Sequence, residues 1–132
     1  MAERYLMDTS AVIKYLNQTF SSKAIRFIDK VIDESCNISF ISEIELQSWQ
    51  PPNEDDLNVY KQFITVSTIF NIDKNITATT IEIRKKYKIK IADAIIAATA
   101  LTNSFTLIAD NDKDFLKVAN LKYLNPRNAI VI

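Results

Sequence analysis

Four separate stretches of the sequence carry carboxylates at the border of an apolar run. Asp8 interrupts "YLMDTSAVI", Glu43 and Glu45 follow "NISFI", Asp93 heads "IADAIIAATA", and Asp110, Asp112 and Asp114 follow "FTLIA". An isolated ionised carboxylate in apolar surroundings is costly, so such a group has a partner, binds a metal or shifts its pKa. Clustered carboxylates raise one another's pKa, and a hard divalent cation removes that penalty. With no His in the chain and a lone Cys36, the donors are oxygens, which suit Mg²⁺ or Mn²⁺ better than zinc. Carboxylate-held metal ions activate water and stabilise the leaving oxygen of an in-line phosphoryl displacement.

The missing residue types exclude other chemistries. Without Gly the chain has neither a Walker loop nor a dinucleotide fingerprint. Without His it has no Ser-His or Cys-His nucleophile pair. Each acid also has a purely structural reading. Asp8 and Asp93 suit helix N-caps, Glu43 and Glu45 suit a first turn facing the helix dipole, and the Asp110 to Asp114 run suits a solvated turn. The basic stretch "RKKYKIK" reads as a solvated helix end that complements the dipole, with contact to RNA as the functional alternative.

These residues must be positioned by alternating elements. Strands are expected at 4–7, 37–41, 66–72, 105–109 and 121–124. Helices are expected at 10–16, 23–32, from Ser42 as N-cap through "EIELQSW", at 53–64, 76–87 and 91–101, and from Phe115 onward. Pro51 and Pro52 break the chain between two of the helices. The 91–101 helix is apolar nearly all round and is expected to be buried. Alternation of this kind predicts an α/β sandwich with a mostly parallel sheet, whose functional groups gather at the carboxyl ends of the strands. Asp8, the Glu43/Glu45 pair, Asp93 and the Asp110 to Asp114 run then lie at one level of the fold.

The whole chain, 1–132, is expected to form one domain, since 132 residues with 48% hydrophobic content suffice for one core but not two. Sixteen basic and sixteen acidic residues cancel, so any nucleic-acid site must be local. A single cysteine, no basic-then-apolar leader and no apolar run long enough to span a bilayer predict a cytoplasmic protein with no membrane partner. Trp49, Phe63 and Phe70 with their neighbours supply more large apolar groups near the first helices than one small sandwich needs, so some of them are expected to line a dimer interface.

The sequence resembles the PIN domain family, and within it the VapC-type toxins of bacterial toxin-antitoxin pairs. "YLMDTSAVIKYL" is similar to the family's first strand and helix, with Asp8 as the first acid. "ISFISEIEL" is similar to the second acidic segment, whose acid stands just before Leu and so selects Glu45 over Glu43. "KIKIADAIIAATAL" is similar to the third, with Asp93, and "LIADNDKDF" and "LKYLNP" to the remainder. Where many relatives carry Thr, any residue, then Asp or Asn, this chain reads Ala109-Asp110-Asn111, and the resemblance favours Asp114 over Asp112 and Asp110 as the fourth acid. It implies a PIN-like three-layer α/β/α sandwich and a metal-dependent endoribonuclease with Mg²⁺, or Mn²⁺, held by Asp8 and Asp93 and completed by Glu45 and Asp114. Activated water would cut RNA to leave a 5′-phosphate and a 3′-hydroxyl. It further implies a homodimer silenced by a small cognate antitoxin. An inactive binding module and an Asp-based phosphotransfer protein are the alternatives.

Overall fold

The computed structural model describes residues 3–128. β1 (Tyr5–Met7) leads into α1 (Thr9–Leu16) and α2 (Ser22–Glu34), and β2 (Asn37–Ser39) into α3 (Phe40–Ser48) and α4 (Glu54–Thr65). β3 (Thr68–Phe70) is followed by α5 (Lys74–Lys86) and α6 (Ile91–Thr102), and β4 (Thr106–Ile108) by the short α7 (Asp112–Phe115) and β5 (Lys122–Leu124). All four strand pairings are parallel, in the order β3-β2-β1-β4-β5. β1 is therefore central. The chain winds outward through β2 and β3, then returns to the other side of β1, so the order reverses between β1 and β4, where α/β sheets form their crevice.

Alternation along each strand sends side chains to two cores. Leu6 and Leu107 join Ala94, Ala97, Ala98 and Phe105 on the α5/α6 side. Met7 and Ile108 join Val12, Ile28, Leu46 and Phe63 on the α1 to α4 side. Helices thus cover both faces, and the architecture is the expected α/β/α sandwich with an all-parallel sheet. In the described residues no helix is long and apolar enough to cross a membrane.

The boundaries differ instructively from expectation. The second strand stops at Ser39, whose hydroxyl accepts from Ile41 N and caps α3. Ser42 lies inside that helix and is buried. Phe115 ends α7 rather than beginning a helix, and Asp73 caps α5 by accepting from Ile76 N. Phe63 is buried in the α1 to α4 core, and Phe70 sits edge-on to Phe105 with ring centroids 5.1 Å apart. Of the three proposed dimer residues only Trp49 is exposed, at 42%. Since glycine is absent, the left-handed turns fall to Gln18, Ser104 and Asn120.

On α6, Ala94, Ala97, Ala98 and Ala100 are all fully buried. Such small residues leave no space for extra methylenes. Ala98→Leu is expected to lower stability by about 1–3 kcal/mol through overpacking, read from urea unfolding. An unchanged midpoint would show that the helix rides farther from the sheet.

Candidate active site

β1 delivers Asp8 into the crevice. The Asp8 amide donates to Ile108 O at 3.0 Å, extending the β1/β4 pairing by one residue. Its side chain, in a residue only 5% exposed, caps α1: Ala11 N and the Ser10 hydroxyl both donate to Oδ1, at 3.1 and 2.6 Å. No donor among the described residues reaches Oδ2. Burial pushes the Asp8 carboxyl up to about 6, beyond what these two hydrogen bonds recover, and the charges of Asp93 and Glu45 push it the same way.

Asp93 does not cap its helix. Lys90 holds the cap position and makes no side-chain cap bond, leaving Asp93 in the first turn of α6. Its pKa is raised by burial first and then by the charges of Asp114 and Glu45, against a smaller opposing effect of Lys90. Glu45 is anchored from the neighbouring helix α1: the Thr9 hydroxyl donates to Oε1 at 2.5 Å and lies 3.0 Å from the buried Ser42 Oγ. Asp114 accepts from Asn111 Nδ2 at 3.2 Å and faces Lys117 Nζ at 3.5 Å. Asn111 thus caps α7 and holds Asp114.

Asp110 and Asp112 behave oppositely. Burial alone would raise the Asp110 carboxyl, yet Lys14, Asn125 and Arg127 together hold it below the usual range. Arg127 Nε stands 2.9 Å from Oδ1, Lys14 bonds Oδ2, and the Asp110 side chain is only 5% exposed. Hydrogen bonds from Asn125 and Tyr123 likewise hold Asp112 low. These two acids are structural, which leaves Asp114 as the acid of the run whose charge reaches Asp93.

Asp8 therefore lies in the field of Asp93 and Glu45, and Asp93 in that of Asp114 and Glu45. Among the described residues no three acids stand close enough to share an ion as they lie. Their oxygen-only chemistry and the two raised pKa values nonetheless fit a hard divalent cation. Sequence reasoning missed the hydroxyls of Thr9, Ser10 and Ser42 and the buried amide of Asn125. The "DTS" triplet and the Asn-Pro pair at 125–126 were the available signals.

The family model described as the PIN domain matches residues 5–121. Among curated proteins nothing matches. Solved structures do. VapBC2 from Rickettsia felis, bound to a DNA fragment from its promoter, is similar at 23% identity and TM-score 0.78, over 92% of this chain and 97% of that one. A toxin-antitoxin complex from Klebsiella pneumoniae gives 24% and 0.71 over the same shares, and FitAcB from Neisseria gonorrhoeae 25% and 0.76, again over the same shares.

Two outcomes are expected. The folded chain holds a proton on Asp8 between about pH 4 and 6 that the unfolded chain has lost, so stability in EDTA falls as pH rises through that window. A shift of about two units sets the upper size of this effect near 3 kcal/mol, and Asp8→Asn should flatten most of it, leaving the smaller contribution of Asp93. A flat parent profile would mean that Asp8 is solvated. Asp110→Asn, by contrast, should cost about 1–2 kcal/mol at pH 7, less than a fully buried pair because Lys14 and Arg127 are partly solvated. Denaturation at pH 7 reads this directly, and an unaltered midpoint would make the pairing ornamental.

Proposed function

This chain belongs to the PIN domain family, and on that premise we propose that it is a VapC-type endoribonuclease dependent on Mg²⁺ or Mn²⁺ and restrained by a small cognate antitoxin. The carrying observation is that two acids from different layers, Asp8 after β1 and Asp93 on α6, both have raised pKa values and both feel Glu45. Mutual repulsion of this kind makes a site that is relieved by a cation.

In this reading Asp8 and Asp93 hold the ion, and Glu45 and Asp114 complete its surroundings. A divalent cation there supplies charge to the scissile phosphate and makes water a nucleophile at neutral pH. The chain's own task is orientation. Ser10 and Ala11 fix one oxygen of Asp8, Thr9 holds Glu45, and Asn111 holds Asp114. Attack on phosphorus with departure of the 3′ oxygen leaves a 5′-phosphate and a 3′-hydroxyl. Restraint by an antitoxin is supported by likeness to complexes described as toxin-antitoxin, and the RNA substrate puts the protein in the cytoplasm. Self-association as a homodimer would use exposed apolar groups such as Ile44 and Trp49.

Thermal melts of the parent, Asp8→Ala, Asp93→Ala and the double variant, each with and without Mg²⁺, test the site independently of turnover. The parent should be stabilised by Mg²⁺, because an ion that binds only the folded state shifts the equilibrium by mass action. Each single variant should lose most of that shift, and the double should add little. RNA cleavage should require Mg²⁺ or Mn²⁺ and fail in EDTA. Equal shifts in parent and Asp93→Ala, or cleavage undiminished in EDTA, would overturn the reading. A parent indifferent to Mg²⁺ would favour the metal-free binding module.

A further inference from the structure

The acidic cluster opens at one end onto a second feature of opposite charge. A groove of about 940 Å³ runs between the last turns of α5, the 87–90 loop, the start of α6, and α7 with the turn after it. Arg84, Lys85, Lys88, Lys90, Lys113 and Lys117 line it, six of the sixteen basic residues of an otherwise neutral chain. Asp114 lines it too, and Lys90 acts on Asp93, so the groove ends at the acids.

Its walls are held in place. Arg84 donates to Ile89 O at 2.6 Å and Lys117 to Lys88 O at 3.1 Å, tying the loop to α5 on one side and to the α7 segment on the other. Ala119 N donates to the Tyr87 hydroxyl at 3.1 Å, fixing that aromatic ring. Apolar groups share the lining: Ile81 and Ile91 are 49% and 61% exposed, and Tyr87 is half-buried. Cations together with exposed aromatic and aliphatic groups are what a single-stranded nucleic acid needs, the first for phosphates and the second for base faces.

We propose that this groove is the track for a single-stranded RNA segment, holding its phosphates along Lys85, Lys88 and Lys113 and leading the next phosphodiester to the acidic cluster. This rests on the nuclease reading for its direction, though not for binding itself. The basic stretch "RKKYKIK" is then more than a helix end complementing its dipole: Lys85 and Lys88 contact substrate, while Arg84 shapes the loop.

The test uses the full chain in EDTA, so that binding is separated from cleavage. A fluorescein-labelled oligouridylate is titrated by anisotropy across salt concentrations, against the parent and Lys85→Ala/Lys88→Ala, with oligoglutamate of equal charge as the competing probe. Both lysines are exposed, and thermal melts check that the variant folds. For single strands each lost phosphate contact flattens the salt slope by about 0.7, so the pair should flatten it by about 1.4 and weaken binding roughly 25-fold at 0.1 M salt. An unchanged slope and affinity, or oligoglutamate bound as tightly as RNA, would overturn the proposal, the latter pointing to an acidic protein partner. With Mg²⁺ restored the two readings separate. RNA bound through the groove but never cut overturns the nuclease and upholds the track, whereas cutting at the parent's KM by the lysine variant overturns the track alone.

Discussion

A carboxylate that cannot retreat from the sheet governs this structure. Asp8 extends the central strand, its amide is hydrogen-bonded to β4, and its carboxyl is buried with donors, among the described residues, on one oxygen only. A surface acid relieves electrostatic strain by swinging into water. Asp8 has no such freedom, because moving it means unpairing the middle of a parallel sheet whose strands are only three residues long. The two helix layers, each with its own apolar core, offset the cost of keeping it there.

Around this fixed charge the other acids divide by what the fold gives them. Asp110 and Asp112 flank Asn111 directly, yet they meet Lys14, Arg127, Asn125 and Tyr123 and become firmly ionised. Asp93 meets Asp114 and Glu45 and becomes harder to ionise. Residue type is the same throughout. Neutralised acids hold the C-terminal turn to the sheet, while the others are left to repel one another.

Much of this was legible in the sequence because it depends on local pattern. Apolar runs, helix caps and the position of an acid after a strand gave the order of elements and one expected level for Asp8, the Glu43/Glu45 pair and Asp93, whereas the choice of Glu45 over Glu43 came from the family resemblance. Errors arose where two local signals competed. Ser39 and Ser42 are both good caps, and "NISFI" is β-rich, so only the bond from Ile41 N to Ser39 shows that Phe40 already belongs to the helix. The role of Asp110 was out of reach for another reason: its partners Lys14 and Arg127 lie 96 and 17 residues away, and no periodicity encodes such a meeting. Which of Trp49, Phe63 and Phe70 stays exposed was also out of reach, because composition counts aromatic residues without knowing which helices cover them.

The Ser10 hydroxyl joins the two charge systems. It donates to Asp8 Oδ1 and accepts from Asp110 N at 3.2 Å, while Lys14, one turn further along the same stripe of α1, holds the Asp110 side chain. A single proton-bearing oxygen is therefore shared between the frustrated acid and the strand end that carries the neutralised one. The crevice and the C-terminal turn thus meet at one hydroxyl of α1, a small joint between an acid that burial resists ionising and one that its partners keep charged.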